Sequence, residues 1–548
     1  MPEITVEVNN LVFFEVDRAL RSRDVGQAEA IAIDYLRAHK NVDAEWFFLL
    51  GMIYYKNLLF KEAAIIFNRA HVSVPNSLKF ALQLARSYQM LGHYGKSEAI
   101  LLPLLASDAD NDQVLMLLAV CADVAGKRED ALAFIDRSII VNDANVEAKY
   151  LKVSLLSNAG HPDSAISLLD HIVNRHGDSD RVAALRSFAL ERQGKYQEAF
   201  ATVERLMPNT DLHAVALAYG RAAMHCDTST RRSSFNGIKE WLTKNELFLL
   251  SSQDRSSLIF ILGDLADKLG NFEEAYSFYI KANSSACVER YDRSAVSMFV
   301  GRCMRYEPNN ICGINNNREN IFIVGMPRAG SSLIEKMLVK SGEIFGHGEP
   351  GYVGRVVRQI SNGDVVNYLG FLDDLNKNSV LSLATRLKAA YRLVGGNLKH
   401  ADKMLFNYQF VPLIVKLFPD ARIIHVVRDY RDVALSCFAH NFSGNHPYKF
   451  TISDIIFQFR AHIEIMNRWK LLFPENIITI EYERLVYYPT SVMPEISKFI
   501  GIIPNYDFTR FHELNTACIT SSYAQVKQPL YRTAIGRWHL YQDIIDFE

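Results

Sequence analysis

Apolar positions along the first 306 residues recur at three- and four-residue spacing, the period of amphipathic helices. The pattern repeats as a unit. A small residue stands at Ala63, Ser97, Ala131, Ala165 and Ala199, each 34 residues after the last. Gly92, Gly126, Gly160 and Gly194 keep the same step, in the turn ahead of those positions. The fullest copy holds Phe47, Leu50, Gly51, Tyr54, Ala63, Phe67, Ala70 and Pro75, and a later one holds Leu262, Gly263, Ala275, Tyr279 and Ala282. Small residues let two antiparallel helices approach closely, and large apolar residues fill the seam to the next pair. Between Ala199 and Ala275 the register fails, since 76 is not a multiple of 34. The pattern therefore predicts a lengthened or degenerate repeat over residues 211–250, and a capping helix pair over 11–39.

The helical period ends near Arg305. Residues 307–320 hold Pro, Gly and six asparagines, which break helix and strand alike. This places a repeat domain at 1–306, a linker at 307–319 and a second domain at 320–548. In the second domain the apolar run from Ile321 to Val324, closed by Gly325, predicts a buried strand. Further strands are expected over 421–427 and 477–482, and helices over 330–340 and 451–472. Strands alternating with helices predict an α/β layer on a parallel sheet.

The spacing from Phe47 to Pro75 resembles the tetratricopeptide repeat. The resemblance implies an all-helical superhelix. Two roles stay open for it: a concave groove that binds peptides, or a scaffold and dimerisation surface.

Composition narrows the classes further. Of 548 residues, 49% are hydrophobic and 22% charged, and the formal net charge is −1. That is ordinary globular composition with no overall case for nucleic acid or an anionic membrane. No apolar stretch reaches roughly 18 residues, so no spanning helix is expected, and the start Met-Pro-Glu-Ile-Thr lacks the pattern of a secretory leader. The seven cysteines are scattered and never in Cys-x-x-Cys spacing. Free thiols in a reducing cytoplasm are expected, with no zinc site.

Chemistry concentrates after the linker. Gly325-Met-Pro-Arg-Ala-Gly-Ser-Ser332 follows the first strand and opens the next helix, with the Gly-x-x-x-x-Gly-x-Ser spacing of a phosphate loop. Such a loop and the helix start behind it cradle anions. Ser331 stands where a nucleotide triphosphatase carries its lysine, and Arg328 brings positive charge instead. This argues against a magnesium-dependent kinase or NTPase. The loop resembles the 5′-phosphosulfate loop of sulfotransferases that use adenosine 3′-phosphate 5′-phosphosulfate (PAPS), whose usual form is Pro-Arg-Ser-Gly-Thr-Thr. The resemblance assigns Arg328, Ala329, Gly330, Ser331 and Ser332 to the phosphosulfate.

Three more segments extend the resemblance over residues 320–548. Arg428, at the end of the strand Arg-Ile-Ile-His-Val-Val, and Ser436 match the family's 3′-phosphate pair. A strand end suits a ligand physically, and an arginine fork can grip phosphate. The tail from Ser521 to Trp538 matches the family segment that closes over the same phosphate, which adds Ser522 and Arg537, with Lys527 and Arg532 as weaker matches. Glu349, in Phe-Gly-His-Gly-Glu-Pro, matches the base of tyrosyl-protein sulfotransferases; His347 is the rival base. That family has an arginine two positions later, where this chain has Gly351. Lys403, in Asp-Lys-Met-Leu-Phe-Asn, matches the lysine at the bridging oxygen.

The resemblance thus implies a P-loop-like domain in which Glu349, Lys403 and Arg328 do the chemistry. Products would be a sulfated acceptor and adenosine 3′,5′-bisphosphate, with no metal. The expected acceptor is a peptide or protein tyrosine presented by the repeats. The alternatives are a carbohydrate or small metabolite, or a scaffold with a relic nucleotide site.

Overall fold

The computed structural model describes residues 15–16, 18, 25–38, 43–57, 59–125, 127–245, 252–286, 291–308, 313–315, 318–442, 446–503, 507–513 and 529–548. Gly126, Ser522 and Lys527 lie outside the described residues, as do three of the cysteines and part of the expected capping pair. Cys121, Cys226, Cys303 and Cys437 are free thiols. Among the described residues no helix is long and apolar enough to cross a membrane. The chain divides into two compact units, residues 1–258 and 259–548.

The first unit is a run of antiparallel helix pairs. Its repeat logic is visible in burial: Ala63, Ser97, Ala131, Ala165 and Ala199 are all at 0% exposure. A Cβ added at Gly51 would sit 2.6 Å from the Phe67 ring, so the Leu-Gly step exists to let that ring in. The turn glycines Gly92, Gly160 and Gly194 have φ of 76°, 86° and 86°, a left-handed conformation that ends one helix before the next begins. The lost register has a plain cause. The helices His213–Ala223 and Thr228–Lys244 form one pair there, and its buried small residue is Ser234, 35 residues after Ala199. The extra residues fall between this pair and the copy at Ala275.

Among the described residues the second unit is built on five parallel strands: β1 Asn320–Gly325, β2 Ile344–Gly346, β3 Lys399–Asp402, β4 Arg422–Val427 and β5 Ile477–Glu481. Their order is β2-β3-β1-β4-β5, and every pairing is parallel. The sheet is covered on both faces. Ile321 and Ile323 of β1 point to one core with Ile334 and Met337, while Phe322 and Val324 point to the other with Trp469 and Tyr391. That explains why β1 and β4 read as unbroken apolar runs. β2 and β3 are not predicted by the pattern. β2 has three residues, and β3 reads Lys-His-Ala-Asp.

The helix Arg293–Arg305, which the helical period assigns to the repeats, packs in this second unit. Its Phe299, Val300 and Cys303 join the core that holds Trp469. Arg293 pairs with Asp454 at 2.6 Å. The long helix Ile452–Leu472 starts where the sequence places it, because the Thr451 hydroxyl accepts the Asp454 amide at 3.1 Å.

Candidate active site

Parallel pairing in the order β2-β3-β1-β4-β5 brings the carboxyl ends of the strands to one edge, and the segments that hold Arg328, Glu349, Lys403 and Arg428 each leave from one of those ends, while the tail with Arg537 does not. In open parallel sheets this edge is where ligands bind.

After β1 the chain turns through Arg328, at φ 69°, and Gly330, at φ 102°, into the helix Ser331–Val339. Gly330 is required twice over. Its φ suits glycine alone, and a Cβ there would lie 2.3 Å from the Tyr482 ring. Ser331 and Ser332 are buried at the helix start, where the helix dipole is positive.

Arg328 does not point to solvent. Its Nε donates to Ser436 Oγ at 2.9 Å, and its carbonyl accepts Arg428 Nη1 at 3.0 Å. The loop after β1 and the arginine after β4 are therefore joined directly. Arg428 is 8% exposed; it also donates to the Ala534 carbonyl, pairs with Asp432 at 3.4 Å and packs on Tyr482. Its Nε is buried and has no hydrogen-bond partner among the described residues. Buried donors are normally paired, and this one is left over among the described residues. Burial lowers the Arg328 pKa, and Arg428 and Arg537 lower it further while Cys437 opposes them. The positive charges of Arg428 and Arg537 thus both reach Arg328.

Arg537 is turned toward an acid. It forms an ion pair with Asp267 while remaining 38% exposed. Its segment is tied down by Asp432, which accepts the amides of Gly536 at 2.8 Å and Trp538 at 3.0 Å. A cavity of about 560 Å³ opens between the ends of β4 and β5 and this tail, lined by Arg428, Glu481, Gly536 and Trp538 among others. Arg532 stands apart, against the Tyr487 ring.

The second half of the site lies after β2 and β3. His347 N donates to the Ala401 carbonyl at 2.9 Å and Lys403 N to the Gly348 carbonyl at 2.8 Å, which lock the two segments side by side. Lys403 is fully buried, and its Nζ lies 2.9 Å from Glu349 Oε1 and 4.0 Å from Glu335 Oε2. Glu349 is 48% exposed, so one side of its carboxylate is open. Glu335 also accepts the Gly348 amide at 2.9 Å. Its pKa is raised by burial, with Lys403 and that amide opposing. Asp402 accepts Tyr391 OH at 2.5 Å and Met404 N at 2.9 Å, and burial pushes it up to about 6.

His347 is held inward. Its Nε2 lies 3.2 Å from His400 Nδ1, and burial first, then His400, pushes its pKa down to about 4. A base already engaged inside the fold is poorly set to meet a substrate hydroxyl. An NMR titration of the ring should give a His347 midpoint near 4; a midpoint near 6.5 would return His347 to the role of base.

Glu335, Asp432 and Asp267 were not singled out by sequence. Glu335 alone left a signal, an acid five residues after Gly330 that directly follows the apolar pair Leu333-Ile334.

Comparison with known proteins follows the same division. Residues 320–505 match the Sulfotransferase family, and residues 15–77 and 82–145 match the Tetratricopeptide repeat. The chain is 27% identical over 308 residues to an "Uncharacterized protein" of Aquifex aeolicus (strain VF5), covering 53% of this chain and 40% of that one. It is 23% identical over 243 residues to Protein-tyrosine sulfotransferase A of Caenorhabditis elegans, covering 41% and 62%. With Protein-tyrosine sulfotransferase 1 of Danio rerio the identity is 22%, over 41% and 66%. The chain thus spans less than two thirds of these relatives. Among solved structures, a tetratricopeptide repeat protein from Parabacteroides merdae aligns at 17% identity and TM-score 0.35, over 44% of this chain and 93% of that one. The sulfotransferase domain from the curacin biosynthetic pathway aligns at 17% and 0.25, over 42% and 98%.

Proposed function

This chain joins tetratricopeptide repeats to a sulfotransferase-family domain, and on that premise we propose that it transfers a sulfuryl group from PAPS to a hydroxyl, with a peptide or protein tyrosine as the favoured acceptor. The reading is carried by one observation: Arg328, Ser436 and Arg428, from two segments 100 residues apart, meet in a chain of hydrogen bonds that leaves the buried Arg428 Nε without a partner among the described residues.

The residues fit a nucleotide that bears a phosphosulfate on its 5′ side and a phosphate on its 3′ side. The loop 328–332 would hold the 5′-phosphosulfate. Arg428, Ser436 and Arg537 would hold the 3′-phosphate, together with Ser522 of the tail. Bound PAPS supplies a sulfuryl group on a good leaving group. Glu349, with its open face, takes the acceptor proton as the hydroxyl oxygen bonds to sulfur. Lys403 and Arg328 offset the charge that grows on the departing phosphate oxygen, the role in which preorganised cations lower barriers most. Lys403 starts bound to Glu349, so it must be shared between base and leaving group.

The tyrosine assignment draws support from the curated relatives named protein-tyrosine sulfotransferases. One feature favours a carbohydrate or small hydroxylated acceptor instead. Gly351, at φ 62°, begins the helix Tyr352–Ile360 and offers no cation where the resemblance calls for arginine. The scattered cysteines support a reducing, cytoplasmic setting.

Calorimetry should show adenosine 3′,5′-bisphosphate binding without magnesium and ATP–magnesium not binding; the reverse would sink the reading. Transfer of radiolabelled sulfate from PAPS to a tyrosine peptide library, run beside a saccharide panel, then decides the acceptor.

A further inference from the structure

The repeat-like copy marked by Leu262, Gly263, Ala275, Tyr279 and Ala282 has a second job that repeat packing does not explain. From Ile259 on it belongs to the second compact unit. It forms a helix hairpin, the end of Ser252–Lys268 followed by Phe272–Ala286. Gly263 makes room for the Tyr279 ring, with an added Cβ at 2.5 Å from it, as Gly51 does for Phe67. So far this is a repeat unit.

The hairpin reaches two elements of the proposed nucleotide site. Asp267, whose side chain is 13% exposed, pairs with Arg537 and accepts Tyr541 OH at 2.5 Å. Tyr541 is fully buried and meets Phe272 edge-on, with centroids 5.3 Å apart. On the other helix, Asn283 Nδ2 donates to the Phe438 carbonyl at 2.8 Å, and Tyr276 packs on the Phe438 ring. Phe438 ends the helix Tyr430–Phe438, which carries Ser436. One hairpin therefore braces both the arginine and the serine assigned to the 3′-phosphate.

A long arginine side chain that is 38% exposed loses much rotamer freedom when it grips a ligand. An acid that holds one edge of the guanidinium removes part of that cost in advance and leaves the other donors for phosphate. We propose that the hairpin is a built-in buttress of the nucleotide site, and that Asp267 is the residue positioning Arg537 for a 3′-phosphate. This rests on the PAPS reading above.

The test uses the full chain and two ligands, adenosine 3′,5′-bisphosphate and adenosine 5′-monophosphate, with dissociation constants from calorimetry. Asp267→Asn should weaken the bisphosphate about tenfold and leave the monophosphate unchanged. In an Arg537→Ala background the same substitution should add nothing, because its effect passes through that arginine. Equal weakening of both ligands, or full additivity with Arg537→Ala, overturns the proposal. If the wild-type protein binds the two ligands alike, the PAPS reading falls, and this inference with it. Should Asp267→Asn fail to fold, Tyr541→Phe leaves the acid in place with one partner fewer. It should weaken only the bisphosphate, two- to threefold, and an unchanged preference for the bisphosphate would again overturn the proposal.

Discussion

Glu349→Gln should lower kcat by about 10²–10⁴-fold while leaving the dissociation constant for adenosine 3′,5′-bisphosphate within about twofold of wild type. The amide is close in shape to the carboxylate. It can still accept from Lys403 Nζ, which sits 2.9 Å from Oε1, so the local structure has little reason to change. What it cannot do is take a proton. The side chain is half exposed and lies outside the cluster of Arg328, Arg428 and Ser436, so nucleotide binding is not its task. Steady-state kinetics at saturating donor, paired with calorimetry, separates the two quantities. Turnover within a few-fold of wild type would remove Glu349 as the base. The same measurement on His347→Gln is the control, because that ring is bound to His400 and kept neutral by burial.

How far the sequence carries depends on which interactions are local. β1 and β4 were legible because both faces of the sheet are covered, which demands unbroken apolar runs. The repeat was legible because each helix pair must place a small residue at the same point of closest approach, and Ala63 through Ala199 all reach 0% exposure. β3 was not legible. Its His400 and Asp402 are buried polar residues whose partners, His347 and Tyr391, come from elsewhere in the chain. The same holds for the site. Arg328, Glu349, Lys403 and Arg428 stand in recognisable spacing because each follows a strand end directly. Their acids do not. Asp267 meets Arg537 across 270 positions of sequence, and Glu335 meets Gly348 only because the helix after the loop lies beside β2. No periodicity records which carboxylate a distant turn will approach, so the supporting shell had to be seen.

That shell decides the second large effect. Lys403→Met should reduce kcat by about 10²–10³-fold and also destabilise the fold, and the two losses have different origins. Lys403 is fully buried, with Glu349 and Glu335 around its ammonium group. Methionine keeps most of the stem's volume, so the cost is one of charge more than packing. Glu335 is the exposed nerve. Burial already raises its pKa, and Lys403 is the largest influence opposing that rise. Without the lysine its folded pKa climbs further above the unfolded value near 4.3. A carboxyl raised in this way favours folding fully below its unfolded pKa and loses that support as pH rises through the folded one. The deficit relative to wild type should therefore be greatest at neutral pH, on the order of 3 kcal/mol for a buried pair left with one partner, and should shrink toward pH 4. Chemical denaturation at a series of pH values reads it. The double variant Lys403→Met with Glu335→Gln separates the roles. Removing both charges should restore most of the stability at pH 7 and none of the turnover, since methionine offers the leaving oxygen neither a charge nor a hydrogen-bond donor. If turnover returns along with stability, Lys403 acts only by offsetting the buried Glu335 carboxylate, and its place beside the leaving group is lost.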